Sequence, residues 1–333
     1  MAYEKEETDL GTLPDLSTRL MINIADPANA LKWWRLRADG VGLARMEFVI
    51  NDLIRVHPMA LVYPERVTDA GERAVISELA HGYCDPADYF VETLATGLAK
   101  LAAVFHPAPA IVRFSDFKSN EYSRLVGGAA FEIAEENPMI GFRGACRYYD
   151  PRYRPGFDLE CRAIKRLREF CGFRNVVVMV PFCRTVAEAD RVLAVMAENG
   201  LARGQEGVEV YMMCEVPSNV VLAREFAARF DGFSIGSNDL TQLVLGADRD
   251  SADLAALFDE RDDAVKAMIR EAIGKAHEAG IKVGICGQGP SNHPDFAAFL
   301  VQERIDSISL NPDSFVRAVP VIAQAETDVV RTP

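Results

Sequence analysis

The feature that most constrains this chain is a regular alternation of short, apolar, β-branched runs with longer amphipathic ones. The apolar runs fall at Leu20–Ala25, Val41–Phe48, Ala110–Ser115, Asn175–Pro181, Val208–Val216, Gly232–Ser237, Lys282–Cys286 and Ser307–Leu310. Between them the spacing predicts helices over Ala28–Arg37, Asp69–Phe105, Asp158–Cys171, Val186–Asn199, Asn219–Phe230, Asp262–Ala279 and Pro294–Gln302, and a last one from near Asp313. Eight strands, each followed by a helical run, predict an α/β fold: a (β/α)8 TIM barrel with helical and loop insertions. A doubly wound open sheet would show the same alternation, but no G-x-G-x-x-G opens after the first strand. The stretch 116–157, with Gly127-Gly128 and Asn137-Pro138, is long for a connection and reads as a functional loop. Its 127–157 part fits either a lid or a docking element. Residues 1–18 read as a linker or tail, and 19–333 as a single barrel domain.

Composition narrows the function. With 333 residues, 49% of them hydrophobic, the chain can bury a large core without disulfides. Its seven cysteines form no C-x-x-C pair, which points to a reduced, cytoplasmic setting. No apolar run reads as a signal peptide or is long enough to span a bilayer, so no membrane partner is expected. The net charge of -13 argues against nucleic acid as a partner, although arginines converging locally could still hold a small anion.

In a barrel, chemistry gathers at the C-terminal ends of the strands. Those ends supply Arg45 and Glu47, Arg113 and Asp116, Glu215, then Gly236-Ser237-Asn238-Asp239, and Cys286-Gly287. The long loop adds Lys118, Asn120, Glu121, Arg143 and Arg147. Glu215 and Asp239 suit Mg²⁺, a hard cation that takes oxygen ligands and keeps positions open; ordinary salt-bridged rim acids fit the same pattern. Gly236-Ser237-Asn238-Asp239 suits an anion held by backbone amides, or a plain helix cap. Arg45, Arg113 and Arg143 have the fork geometry for phosphoryl and carboxylate groups, and would serve equally as an ion-pair ring. Cys286, beside glycines at a strand end, could move a proton, or be the small buried hydrophobe that free cysteine usually is.

Five phrases taken together carry a resemblance: Asp39-Gly-Val-Gly-Leu-Ala-Arg-Met-Glu-Phe48, Arg113-Phe-Ser-Asp-Phe-Lys-Ser-Asn-Glu121, Asn137-Pro-Met-Ile-Gly-Phe-Arg-Gly144, Phe233-Ser-Ile-Gly-Ser-Asn-Asp-Leu-Thr-Gln242 and Gly284-Ile-Cys-Gly-Gln-Gly-Pro-Ser291. In this order, from about Leu20 to Val321, the chain resembles the phosphoenolpyruvate-utilising enzymes, their synthase branch most of all. The resemblance implies interconversion of pyruvate and phosphoenolpyruvate through an enolate stabilised by Mg²⁺. Arg45, Arg113 and Arg143 would bind phosphoryl and carboxylate oxygens, and Glu215 and Asp239 would hold the metal. Gly236, Ser237 and Asn238 would line the substrate, and Cys286 would give and take the proton at C3. It also implies a homodimer, and phosphohistidine and ATP-binding domains as partners. No histidine here lies in a threonine-rich phosphohistidine motif, so the expectation is the pyruvate half reaction alone, on a donor supplied from outside. A regulatory phosphoenolpyruvate-binding module and a Mg²⁺-dependent carbon–carbon lyase are the alternatives.

Overall fold

The computed structural model describes residues 14–331. Eight strands form a closed barrel in chain order: β1 (Arg19–Ile24), β2 (Val41–Arg45), β3 (Ala110–Arg113), β4 (Val176–Val180), β5 (Val210–Cys214), β6 (Gly232–Ile235), β7 (Lys282–Ile285) and β8 (Ser307–Leu310). Every neighbouring pair is parallel, and β8 closes on β1. The expected (β/α)8 architecture is therefore the observed one.

Strand periodicity divides the core in two. Successive side chains point to opposite faces. In β4, Val176, Val178 and Val180 pack outward in the large cluster shared with the helices, while Val177 and Met179 point inward. Met21, Leu43, Ile111, Tyr211, Met213 and Cys286 join those two in a separate cluster inside the barrel. Both faces are thus apolar, which is why β3 to β6 are buried throughout and read as continuous runs rather than alternating ones.

Several predicted elements differ in extent. The run 69–105 is two helices, Ala70–Leu79 and Pro86–Phe105. Gly82 takes φ +95, and Pro86 disfavours helical backbone at the residue before it, so the pattern breaks despite good propensity on both sides. Asp85 then caps the second helix, accepting from the Ala87 amide at 2.8 Å. Where a helix was expected over Ala28–Arg37, only Pro27–Lys32 is regular, as a 3-10 turn. The run 219–230 splits at Leu222 into Pro217–Val221 and Ala223–Ala227. The second strand ends at Arg45, where the chain turns into a short helix, Met46–Val49. A helix over Ser237–Leu245 stands where only a cap and a loop were expected.

The 116–157 connection is packed rather than loose. Arg147, fully buried, makes a two-pronged pair with Glu132 at 2.7 and 2.6 Å, and Glu132 also meets His57 at 3.2 Å. Glu135 accepts from the Ser119 hydroxyl and the Phe142 amide. Gly144, at φ +60, lets the chain press against the turn after β4: a methyl there would lie 2.6 Å from Phe182 Cβ. Among the described residues no helix is long and apolar enough to cross a membrane.

Candidate active site

The register of the barrel assembles the site. Arg45 pairs with Arg113 across β2 and β3, placing two guanidinium groups side by side. Cys214 pairs with Ile235, and Ile235 with Ile285, so the next residues, Glu215, Gly236 and Cys286, fall in one layer. The Gly236 amide donates to the Cys214 carbonyl and the Cys286 amide to the Ile235 carbonyl, carrying the ladder into that layer. Tyr211, Met213 and Glu215 lie on one side of β5, so the carboxylate caps an apolar column.

These residues line a cavity of about 430 Å³ at the C-terminal mouth, with Glu47, Asp116, Lys118, Arg143, Asn238, Asp239 and Arg249 among its walls. A larger cavity, about 1410 Å³, opens at the opposite end, around Arg19, Ile111, Val177 and Lys282. The smaller one has the chemistry. Buried side-chain atoms with no hydrogen-bond partner among the described residues are five, and three of them (Glu47 Oε2, Arg113 Nε and Glu215 Oε2) belong to its lining residues. An unpaired polar atom removed from water is costly, so such a concentration marks a place for a ligand.

Two arginines are largely committed to protein partners. Arg113 donates to Glu47 Oε1 at 2.5 Å, and its Nη1 lies 3.4 Å from Met213 Sδ and 3.7 Å from Asp116 Oδ2. Burial disfavours its charge, but Glu47 and Asp116 outweigh this and hold the guanidinium above its ordinary pKa. Arg143 donates to Asp116 through Nε at 3.0 Å and Nη2 at 2.5 Å, and through Nη1 to Asp239 at 3.0 Å and the Met139 carbonyl at 3.1 Å. Its guanidinium also sits 4.1 Å from the centre of the Phe182 ring. Arg45 differs: it has no hydrogen-bond partner among the described residues, and burial followed by repulsion from Arg113 lowers its pKa.

The carboxylates are held apart in character. Glu215 is fully buried, and Oε1 accepts from the Phe182 amide at 2.7 Å while Oε2 is free. Phe182 takes φ +44 to present that amide, an unusual conformation for a bulky residue and a strain of about 1–3 kcal/mol. Burial, then the neighbouring charges of Asp239 and Asp116, push the Glu215 pKa upward. A cation would relieve both causes. Among the described residues no three His, Cys, Asp or Glu side chains converge; Glu215 and Asp239, whose charges act on each other, are the pair that could hold a metal. Two carboxylates with a free oxygen and an open cavity fit Mg²⁺, which retains waters and substrate oxygens. Burial raises the Cys286 pKa above its ordinary value, so the group is a neutral thiol with a proton to give.

Of the residues predicted from sequence, Arg45, Arg113, Arg143, Glu215, Gly236, Asn238, Asp239 and Cys286 all line the cavity. Ser237 does not: it is fully buried, and its hydroxyl donates to Glu260. Lys118 and Glu121 reach the rim, whereas Arg147 is committed to Glu132. Sequence reading missed Arg249, whose Nη1 lies 3.4 Å from Asp239 Oδ2. Its only local signal was a cation between Asp248 and Asp250 in a connection without periodicity.

The sequence matches known proteins. Residues 3–327 match the family model described as "PEP-utilising enzyme, PEP-binding domain". This chain belongs to that family. It is 54% identical over 325 residues to a phosphoenolpyruvate synthase of Synechocystis, covering 97% of the chain and 40% of the relative. It is 50% identical over 317 residues to one of Escherichia coli, covering 95% and 40%. The chain thus spans about 40% of the length of these curated relatives. Among solved structures, an HpcH/HpaI aldolase/citrate lyase family protein of Burkholderia cenocepacia overlies 94% of this PEP-binding domain, and 95% of its own chain, at 15% identity and a TM-score of 0.47.

Proposed function

We propose that this PEP-binding domain interconverts pyruvate and phosphoenolpyruvate, holding the reacting group between Arg45, Arg113, Glu215, Asp239 and Cys286. The observation that carries the reading is the set of unpartnered buried atoms on the cavity wall, a guanidinium nitrogen at Arg113 and carboxyl oxygens at Glu47 and Glu215, beside a neutral thiol. An anion that also chelates a cation satisfies both signs at once, as the carboxylate and C2 oxygen of pyruvate would.

Arg45, with uncommitted donors, and Arg249, only loosely held, would bind phosphoryl or carboxylate oxygens. Arg113 would present its free Nε while Glu47 and Asp116 fix its plane. Arg143 would act chiefly by holding Asp239. Asn238 and the Gly236 backbone would line the substrate. Mg²⁺, held by Glu215 and Asp239, would supply Lewis-acid stabilisation of negative charge on oxygen. Cys286 would give its proton to C3 of the enolate: the S–H bond breaks, a C–H bond forms, and solvent later reprotonates the thiolate. In the opposite direction the thiolate takes a methyl proton from pyruvate. The phosphoryl donor, a phosphohistidine domain, and the ATP-binding domain would lie in parts of the enzyme beyond this chain. A cytoplasmic setting fits its seven free thiols, and homodimerisation remains part of the proposal.

Calorimetric titration with oxalate, a mimic of the enolate, tests the site. Binding should require Mg²⁺ and vanish in Glu215→Ala/Asp239→Ala. Cys286→Ala should keep oxalate affinity within about threefold yet abolish exchange of pyruvate methyl protons in D₂O, because the thiol moves a proton and contributes little binding. Mg²⁺-independent binding, or exchange undiminished without the thiol, would overturn the assignment.

A further inference from the structure

We infer that Glu260 is a positioning residue that locks the turn bearing Asn238 and Asp239 to the turn bearing Cys286. It belongs to none of the barrel strands. It comes from the connection between the helix Ser237–Leu245 and the helix Asp263–Glu278, and its side chain is buried, 8% exposed.

Two turns meet on it. Its Oε1 accepts the Ser237 hydroxyl, at the first residue of the helix whose opening turn carries Asn238 and Asp239. The backbone of Gly289, two residues beyond Gly287 and three beyond Cys286, packs against the same side chain. The packing leaves no slack. A methyl on Gly287 would fall 1.7 Å from Ser237 Oγ and 3.2 Å from Glu260 Oε1, and one on Gly289 would fall 3.1 Å from that oxygen. A carboxylate bonded to one turn and packed against the other fixes the separation of their ends. One end carries the thiol and the other the carboxylate proposed to hold the cation, so the geometry of proton transfer passes through Glu260. Arg249 of the same connection reaches Asp239 at 3.4 Å, tying that connection to the site a second time.

The inference rests on the enolate reading above, and the experiment separates the two. Glu260→Ala, Glu260→Gln and Ser237→Ala are made in the full chain. Each is assayed for pyruvate methyl-proton exchange by NMR and for Mg²⁺-dependent oxalate affinity by calorimetry. Glu260→Ala should slow exchange about 10- to 100-fold, the usual cost of losing a residue that orients a site, with oxalate affinity changed less than about threefold. Glu260→Gln keeps an acceptor oxygen for Ser237 and should recover most of the rate. Ser237→Ala removes the same hydrogen bond from its other end and should reproduce the alanine effect, and the Glu260→Ala/Ser237→Ala pair should be no slower than the slower single. If Glu260→Ala does not fold, Ser237→Ala decides alone. Exchange that depends on Cys286 but is unchanged by these substitutions overturns this inference and leaves the enolate reading standing. Oxalate affinity falling in step with exchange overturns it too, because the residue then supports the whole site. No exchange by the unsubstituted protein overturns both.

Discussion

Replacing Arg143 by methionine should destabilise the fold strongly at neutral pH and less in acid. The Arg143 and Asp116 side chains are 4% and 1% exposed, and three Arg143 nitrogens reach Asp116 and Asp239 at 3.0 Å or less. Methionine fills much of the volume but leaves the Asp116 carboxylate in the interior with Arg113 at 3.7 Å and a weaker influence from Arg249. Breaking a buried pair in this way costs about 3–5 kcal/mol, and the remaining arginines argue for the lower end, about 3 kcal/mol. That is a large share of a typical stability of about 5–15 kcal/mol. The pH dependence fixes the cause. In the intact protein burial opposes the Asp116 charge, but Arg143 and Arg113 outweigh it and hold its pKa below the ordinary 3.8. Its contribution is therefore present above that value and lost as pH falls through the folded-state value. Without Arg143 burial dominates, the folded pKa rises, and the variant loses stability as pH climbs through the carboxylate range. The gap between the two proteins should thus be smaller near pH ~4.5 than near pH ~7.5, where it is full. Urea unfolding followed by circular dichroism at both values reads this directly, and Arg143→Met/Asp116→Asn should be no less stable than Arg143→Met alone. A loss below about 1 kcal/mol at neutral pH, as for a surface pair, or a gap that ignores pH, would refute the argument.

Glu160 is buried beneath β3, accepting from the Ser115 amide and hydroxyl and from Tyr153, and burial pushes its pKa from 4.5 up to about 7. An acid raised in this way stabilises the fold below its unfolded value and loses that contribution between pH 4.5 and about 7, at most about 3 kcal/mol. Glu160→Gln should flatten the fall in stability across that window; parallel urea-unfolding profiles for the two proteins would show that the carboxyl does not titrate there. Gly236→Ala would place a methyl 2.6 Å from Glu215 Oε2 and 2.8 Å from Met213 Cε. Mg²⁺-dependent oxalate binding should weaken about 10- to 100-fold with the far-ultraviolet spectrum unchanged, and unaltered affinity would show that Glu215 does not need that approach.

Much of this was legible in the residues. Eight apolar runs read as strands because barrel strands are buried on both faces, and their order became the order of the barrel. The strand ends named Arg45, Arg113, Glu215, Asp239 and Cys286 because the fold exposes chemistry at that rim. Helix limits were less legible. The break at Gly82 and the helix at Ser237 depend on single backbone conformations and on packing that periodicity does not record.

What only the tertiary structure decided was the division of labour among like residues. Arg45, Arg113 and Arg143 are equivalent as letters, yet among the described residues the Arg45 side chain has no hydrogen-bond partner, Arg113 leans on Glu47, and Arg143 bridges Asp116 and Asp239. Ser237 stands in a motif that suggests ligand binding, but its hydroxyl faces Glu260 from a connection with no periodic signal. The residue types set what chemistry the rim could hold, because charge and donor count are local properties. Which groups remained available depended on distances between residues remote in the chain, and those exist only once the barrel has closed.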